Sequence, residues 1–310
     1  TQVYEIVLMN LKSIPQRLGA SLVIVIGIAG VVGVLVAMLS MSTGLNKTLT
    51  ATGDPNRAII LRGGSNGELA SFLDRASNTL IKQDPAIARH PDGLPFASGE
   101  LIVITEVPRK GQSSGANVSL RGVEPKGFDI RPELKVLEGR RFKPGLRELL
   151  VGNGAYTQFD GLGVGSKLKF RGSYWDVVGV FETKDAHDSE LWADLDTVQS
   201  AFGRSGMSSV VVRLNYAKAF DDLKRRLSAD PQLTVDVKTE QDYFSSQSSG
   251  LTSQIGFLTN IVAYIMAFGA LFGALNTMYS AVSAGTAESG TLRALGSGNG
   301  PVVASVMAEA

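Results

Sequence analysis

Two long stretches without a charged residue restrict what this chain can fold into. The first lies between Arg17 and Lys47, and the second covers Tyr243–Ala287. A helix needs about 20 apolar residues to cross the roughly 30 Å hydrocarbon core of a membrane, and both stretches exceed that length. A secretory signal peptide has an apolar region of only about 7–15 residues, so the first stretch favours a retained span. We predict transmembrane helices over residues 18–43 and 251–282.

The charge of the chain is concentrated between these two stretches. The 310 residues carry 30 basic and 29 acidic side chains, for a formal net charge of +1, which gives no indication of nucleic-acid binding. The chain has no cysteine, and this excludes disulfides, a thiol nucleophile and cysteine-ligated metal sites. We predict one domain over residues 44–250, joined to the membrane by helical stalks that continue both spans.

The middle of the chain alternates between strand-like and helix-like patterns. Short apolar runs bounded by glycine and proline indicate strands; these are Ala58–Leu61, Leu101–Thr105, Val118–Val123, Glu148–Val151, Lys167–Phe170, Trp175–Phe181, Val210–Leu214 and Leu233–Val237. Helical spacing of apolar residues indicates helices over Gly67–Gln83, Asp194–Phe202 and Ala217–Ser228. The predicted fold class is an α+β membrane protein, with transmembrane α-helices flanking a mixed α/β extracytoplasmic domain.

No motif for catalysis or nucleotide binding is present in the sequence. GLGVGSK (Gly161–Lys167) has serine directly before the lysine, where the phosphate-binding loop requires glycine, so we expect a tight turn between strands there. HDSE (His187–Glu190) offers an imidazole and carboxylates to a metal, but a solvated loop is the favoured interpretation. We expect no catalytic residue, no metal site, no cofactor and no enzymatic activity in this chain; any ATP would be held by a partner subunit.

The segments outside the two spans predict how the chain is oriented across the membrane. Residues 1–17 place apolar side chains on one helical face, which predicts a cytoplasmic interfacial helix lying along the membrane. Lys12 and Arg17 favour a cytoplasmic N-terminus. The domain would then lie outside, and residues 283–300 would return to the cytoplasm. Residues 301–310 read as the start of a third span, at about half of a full crossing, so we expect a truncated sequence.

Small residues recur every four positions in both predicted spans. Ala29, Gly33 and Ala37 form one such stripe, and Gly269 and Gly273 form a GxxxG pair. Stripes of this kind let two helix backbones approach closely in a membrane. We predict close helix packing at these five positions.

The loop after the second span resembles that of a known family of membrane proteins. Ala284–Gly296 reads AGTAESGTLRALG, where MacB/FtsX-type permeases of ABC transporters commonly read ARTREIATLRALG. The segments LEGRRF (Leu137–Phe142), ELLVGNGAY (Glu148–Tyr156) and YWDVVGVFE (Tyr174–Glu182) resemble the periplasmic domain of the same family. The likeness extends over the whole chain up to the third span.

The resemblance implies that this loop is a coupling helix that docks on an ATPase subunit. The matching positions that would make the contact are Thr286, Glu288, Leu292, Arg293, Ala294, Leu295 and Gly296. Gly285 and Ala287 stand where the family commonly has basic residues, which implies a contact with fewer charges. The implied partners are the ABC ATPase subunit, a second copy of the permease, a periplasmic adaptor protein and membrane lipid, without nucleic acid.

The implied function is that of a multi-pass permease subunit in the cytoplasmic (inner) membrane. It would couple ATP hydrolysis by its partner to motion of the external domain, for export or mechanotransmission. The sequence leaves two alternatives open: an FtsX-like regulator of an external hydrolase, and a two-span membrane sensor with an extracytoplasmic ligand domain. A membrane-anchored enzyme is the least favoured interpretation, because the sequence carries no catalytic motif.

Overall fold

The computed structural model of the chain describes residues 18–112, 114–216 and 218–284. The predicted interfacial helix over residues 1–17 and the predicted start of a third span lie outside the described residues, as does nearly all of the predicted cytoplasmic loop. The chain divides into two compact units. One contains the described residues before position 45 and after position 250, and the other is Leu45–Gly250.

Seven helices and ten strands make up the described part of the chain. The helices are α1 (Leu18–Ala51), α2 (Arg75–Lys82), α3 (Gly127–Ile130), α4 (Asn153–Gln158), α5 (Leu195–Phe202), α6 (Ala219–Ala229) and α7 (Glu240–Ala284). The strands are β1 (Arg57–Arg62), β2 (Ala97–Pro108), β3 (Gly115–Val123), β4 (Lys135–Gly139), β5 (Glu148–Gly152), β6 (Lys167–Phe170), β7 (Ser173–Glu182), β8 (Leu191–Asp194), β9 (Ser209–Arg213) and β10 (Val235–Thr239). Two short 3-10 turns, Glu68–Ala70 and Ala186–Ser189, lie between β1 and α2 and between β7 and β8.

The two longest helices, α1 and α7, each contain a segment long and apolar enough to cross a membrane. These segments are Ile26–Gly44 and Ser253–Gly273, and they overlap the two predicted spans. A helix satisfies its own backbone hydrogen bonds, which is the condition for crossing hydrocarbon. Both helices extend beyond the apolar segments, α1 forward to Ala51 and α7 back to Glu240.

The central unit is built on one mixed sheet, and the predicted mixture of strands and helices is confirmed. The ten described strands follow the order β10-β1-β9-β2-β3-β8-β5-β7-β4, with β6 also paired to β7. The β3–β8 and β5–β7 pairs are parallel, and the other pairs are antiparallel. The β2–β3 hairpin is the longest pairing, with Glu100 opposite Val123 and Pro108 opposite Gly115.

Strand β1 shows how the sheet separates two apolar layers. Successive side chains of a strand point to opposite faces. Ala58 and Ile60 lie in a cluster that includes Leu223 of α6, whereas Ile59 lies in a cluster that includes Tyr243 of α7. The strand is therefore buried on both faces, and its partners β9 and β10 protect its two edges.

The far end of the sheet has its own two layers, each with a buried tryptophan. Trp175 of β7 packs in a cluster with Val198 of α5. Trp192 of β8 packs with Phe181 and Phe128 on the other face, at centroid distances of 5.1 Å and 6.0 Å. These are the chain's two tryptophans, so its tryptophan fluorescence reports on the central unit alone.

The predicted strands all appear, but the sequence analysis missed two strands. The last predicted strand begins at Val235 rather than Leu233. β4 was missed because most of its residues are exposed and it carries a bulge. β8 was missed because it has only four residues, all buried, and so shows no alternation.

The helix predicted over Gly67–Gln83 is wrong in its first half. Residues 68–70 form a 3-10 turn, and the α-helix starts after Asp74, whose side chain accepts a hydrogen bond from Ser77 N at 2.7 Å. Such an N-cap ends the extended segment and begins the helix. The other two predicted helices are confirmed as α5 and α6, with the latter beginning at Ala219. The turn at Gly161–Lys167 lies between α4 and β6 rather than between two strands.

Helix α5 packs so closely on β3 that the strand position beneath it requires glycine. A Cβ added to Gly122 would lie 3.0 Å from Val198 Cβ and 3.1 Å from Leu195 Cα. We expect Gly122→Ala to lower the free energy of unfolding by about 1–3 kcal/mol through overpacking. Urea unfolding of the detergent-solubilised chain, followed by tryptophan fluorescence, measures this. Gly163→Ala is the control, because the nearest atom there is 3.7 Å away; equal destabilisation by both variants would contradict the prediction.

Candidate functional site: a buried ion-pair network at the start of α7

Helix α7 begins with a buried carboxylate that is held from several sides. Glu240 is buried, and its side chain forms ion pairs with Arg57 of β1 and, at 3.5 Å, with Arg131. It also accepts a hydrogen bond from Asp54 N at 3.2 Å. A negative charge in the first turn of a helix is favourable to the helix dipole. The first residue of α7 is therefore fixed to the segment between α1 and β1.

The backbone of this segment approaches α7 closely. Gly53 has a φ of +96°, in the region that favours glycine. A Cβ at Gly53 would lie only 2.8 Å from Gln241 N, so no larger residue fits without a shift. The end of α1 and the start of α7 consequently meet through main-chain contact as well as through the Glu240 carboxylate.

Further ion pairs continue from Arg131 across the sheet. Arg131 Nη1 lies 2.6 Å from Glu100 Oε1, and Glu100 Oε2 lies 2.8 Å from Arg121 Nη1. Arg121 in turn pairs with Glu68 at 2.8 Å and with Glu190 at 2.7 Å. Opposite charges alternate along the whole series. We call this set the ion-pair network; its members are Arg57, Glu68, Glu100, Arg121, Arg131, Glu190 and Glu240.

These buried charges are tolerable because each one has opposite partners. Burial acts to raise the pKa of the Glu100 carboxyl, but Arg131 and Arg121 outweigh burial and hold that pKa at about 2. Burial opposes the charge of the Arg121 guanidinium, yet Glu190 and Glu68 raise its pKa well above the ordinary value. Burial also opposes ionisation of Glu190, but Arg121 lowers its pKa. These three groups are therefore charged throughout the neutral range.

Two further residues of α7 bind the loop that carries Glu68. Tyr243 Oη accepts a hydrogen bond from Glu68 N at 3.1 Å, and Gln247 Nε2 donates to Asn66 O at 2.6 Å. Burial is the main cause that raises the pKa of Tyr243 to about 12. The first two turns of α7 are thus attached to the sheet by a charge, a phenol and an amide.

In the segment predicted as a solvated loop, His187–Glu190, the first residue is buried and the last keeps only 14% of its side chain exposed, so that prediction is wrong. His187 is 1% exposed and its Nδ1 lies 3.0 Å from Asp185 Oδ1, while Glu190 belongs to the ion-pair network. Ala186 N donates to Thr52 Oγ1 at 3.0 Å, so this turn touches the residue that follows α1. Within the described residues no group of three or more potential ligands is arranged to hold a metal ion.

The network holds the strands and the start of α7 in fixed positions, because each of its charged groups is paired with an opposite charge. Three open surface clefts of about 490, 520 and 580 Å³ lie elsewhere and are lined by other residues. The arrangement can transmit displacement: moving the first turn of α7 moves Glu240, and with it the partners in β1 and after α3. An interior packed at crystal-like density passes such shifts on.

The sequence-predicted sites are only partly within the described residues. The predicted ATPase-contact residues, Thr286 to Gly296, lie outside them. Ala29, Gly33, Ala37, Gly269 and Gly273 lie on α1 and α7 and are exposed. A Cβ at Gly33 or Gly269 would meet no atom within 4 Å. The structure does not bring the two stripes together in this chain, and close packing at these positions stays a prediction.

Other positions form the less exposed faces of the two helices. On α1 these are Val31, Leu35, Met38 and Ser42, and on the apolar part of α7 they are Ile255, Gly256, Thr259, Val262, Ala263 and Met266. Both sets recur at three- and four-residue intervals, as one helical face requires. Residue size alone did not identify them, because they range from glycine to methionine.

The sequence analysis did not identify the ion-pair network, although one signal was available. Arg57 directly precedes AIIL, Glu100 directly precedes LIVIT, and Arg121 interrupts the alternating strand VSLRGV. A charged residue inside an apolar strand is seldom buried unless it is paired. That signal could have marked these three residues as members of a buried ionic site, but it could not have supplied their partners.

Comparison with known proteins gives a consistent family match. The family described as MacB-like periplasmic core domain matches residues 20–230. No curated protein matches the chain.

The solved structures that are similar to part of the chain include two transporter domains. The periplasmic region of MacB from Actinobacillus actinomycetemcomitans is 17% identical, with a TM-score of 0.45; the match covers 60% of this chain and 90% of that one. The extracellular domain of the noncanonic ABC-type transporter YknZ from Gram-positive bacteria is 16% identical, with a TM-score of 0.44; the match covers 59% of this chain and 100% of that one.

Removing one charge from the network should be costly. We expect Glu240→Gln to lower the free energy of unfolding by about 3–5 kcal/mol, because Arg57 and Arg131 would lose a buried counter-charge. Asp236→Asn is the matched control, since Asp236 pairs with Lys238 at 3.3 Å in a partly exposed position and should change stability by about 0–1 kcal/mol. Denaturant unfolding of the solubilised chain, followed by tryptophan fluorescence, compares the two. Similar losses in both variants would show that the network does not fix α7.

Proposed function

The chain belongs to the MacB/FtsX-type permease family, whose MacB-like periplasmic core domain it carries over residues 20–230, and on this premise we propose that it is the transmembrane subunit of an ABC transporter. Members of this family are membrane-embedded permeases that work with ABC ATPase partners. In our proposal the partner binds and hydrolyses ATP, this chain carries no cofactor, and its task is mechanical.

The observation that carries the proposal is the continuity of α7. The helix that places Glu240 in the ion-pair network also contains the apolar segment Ser253–Gly273. It has 45 residues and is therefore about 68 Å long at 1.5 Å per residue. A push or rotation at its Ala284 end is delivered to Glu240 at the other end, and from there to the sheet.

We propose that the push comes from the loop that follows Ala284. Thr286 would cap a short coupling helix, and Glu288 would lie in its first turn, where a negative charge is favourable. Leu292, Ala294 and Leu295 would enter a groove of the ATPase, and Arg293 would pair with an acidic residue there. Gly296 would end the helix. The support for this assignment is the match of the sequence TLRALG to the family's pattern.

The proposed setting is the cytoplasmic (inner) membrane, with a cytoplasmic N-terminus, an external central domain and several spans. Lys12 and Arg17 support this orientation. A second copy of the permease would pack on the exposed stripes of small residues at Gly33 and Gly269. An adaptor protein outside the membrane would receive the motion of the central domain, for export or mechanotransmission.

The orientation can be tested with single cysteines, because the chain has none. In intact cells a membrane-impermeant maleimide should label Gln112→Cys, in the exposed turn between β2 and β3, and should label Ser297→Cys only after the membrane is opened. Labelling of both variants after lysis controls for reactivity. The opposite pattern in intact cells would overturn the proposed topology.

The coupling contact can be tested by charge reversal. Arg293→Glu should abolish co-purification of the ATPase with the full-length permease, because like charges at a contact cost several kcal/mol, while expression and membrane insertion stay unchanged. Lys135→Glu, at an exposed position of β4, is the matched control and should retain the ATPase. Full retention by Arg293→Glu, with permease-dependent ATP turnover, would reject the coupling-helix assignment.

A further inference from the structure

The chain has two histidines, and one of them is buried where the end of α1 and the start of α7 meet. The His187 ring contacts Trp192 of β8 edge-on at 5.8 Å and Phe244 of α7 edge-on at 5.6 Å between centroids. Its neighbour Ala186 donates the hydrogen bond to Thr52 that was described above. A single short turn therefore touches the segments that continue both long helices.

The imidazole is bound on one side only. Its Nδ1 lies 3.0 Å from Asp185 Oδ1, whereas its Nε2 is buried and has no hydrogen-bond partner among the described residues. Asp185 also accepts hydrogen bonds from Thr183 Oγ1 at 2.6 Å and from His187 N at 2.9 Å. A protonated imidazole adds the attraction of opposite charges to its N–H···carboxylate hydrogen bond, which a neutral ring cannot do. The protonated ring thus holds the turn through Asp185, and the neutral ring holds it less firmly.

Charged groups on several neighbouring elements act on the imidazole. Asp185 lies in its own turn, Glu190 precedes β8, Glu100 lies in β2 and Arg131 follows α3. Three carboxylates against one guanidinium favour the charged ring. Thr52, Trp192 and Phe244 bring no charge.

We propose that His187 is a proton-operated latch: its protonated ring fixes the Ala186–Ser189 turn against Thr52 and Phe244, and loss of the proton at alkaline pH loosens the contact of that turn with the first turns of α7. As a regulator of transmission, the latch rests on the function proposed above. Because the central domain would face the outside, the latch would respond to external pH and would loosen the connection between α7 and the sheet when the medium becomes alkaline.

The direction of the pH dependence follows from the pKa shifts of His187 and Asp185. Burial opposes the charge on His187, but Asp185 outweighs it and raises the pKa of the imidazole above its ordinary 6.5. A raised folded-state pKa contributes stability that is complete below the unfolded pKa and is lost as the pH rises through the folded value. Burial likewise opposes ionisation of Asp185, while His187 lowers its pKa, so the pair contributes from acidic pH up to the folded pKa of the imidazole.

Two measurements on the full chain in nanodiscs test the latch: the titration of the His187 imidazole, and the hydrogen exchange of the backbone amides of residues 240–247. NMR of histidine-labelled protein should show an imidazole titration that is lost in His187→Gln and whose midpoint lies above about pH 6.5. After correction for intrinsic exchange rates, exchange in residues 240–247 should rise through the same midpoint. Between the protonated and the neutral state of His187, the equilibrium constant for opening of residues 240–247 should rise. The rise should be about tenfold for each unit by which the imidazole pKa of the closed state exceeds that of the open state. Helix α6, remote from the turn in the sequence, serves as the internal reference.

The variants His187→Gln and His90→Gln distinguish a specific latch at His187 from a general loss of stability in the domain. In His187→Gln the exchange of residues 240–247 should be high and independent of pH between about pH 6 and 10, where the Tyr243 phenol, with its pKa of about 12, stays neutral. His90→Gln, which replaces the ring stacked on Phe96 at 3.4 Å, should keep the wild-type dependence. The latch is rejected if residues 240–247 of the wild type exchange alike on both sides of the imidazole midpoint, or if His90→Gln removes the dependence. No ATPase is needed, so the result is independent of the Arg293→Glu test.

Discussion

A charge buried in a protein interior is stable only when an opposite charge lies beside it, and here that constraint governs how the central domain is assembled. The seven members of the ion-pair network come from β1, β2, β3, the 3-10 turn after β1, the segment after α3, the residue before β8 and the first residue of α7. Each guanidinium is shared between at least two carboxylates. Removing one member takes a counter-charge from each of its buried partners, so the network favours the arrangement of elements in which all seven members meet.

This constraint explains why α7 can serve as a mechanical element. An amphipathic helix lying on a sheet is held by apolar contacts that permit sliding, whereas Glu240 fixes the helix end through ion pairs and a backbone hydrogen bond. Tyr243 and Gln247 then fix the next two turns to the loop at residues 66–68. A helix attached in this way would deliver motion to the sheet, which is the property that the proposed permease function requires.

The sheet determines where the network can lie. In β1 the apolar positions fill both faces, so Arg57 is placed at the start of the strand, next to the incoming α7. In β3, Leu120 packs in one layer while the next residue, Arg121, points to the other. Glu100 lies where β2 stops pairing with β9 and begins to pair with β3. The charges thus meet at one place because strand register carries them there.

The sequence by itself determined the features that depend on local composition and period: the uncharged apolar segments of the two long helices, eight of the ten described strands, two of the three predicted helices, and the family to which the chain belongs. Hydrophobic periodicity records these features within a window of a few residues. The tertiary structure decided which charges pair, since Arg57 and Glu240 are 183 residues apart and no local pattern links them. It also showed that His187 is buried, and it assigned β8, whose four buried residues are defined only by β3 and β5. The reason is the same in each case: burial and pairing are fixed by strand register and helix docking, which join segments that are distant in the chain.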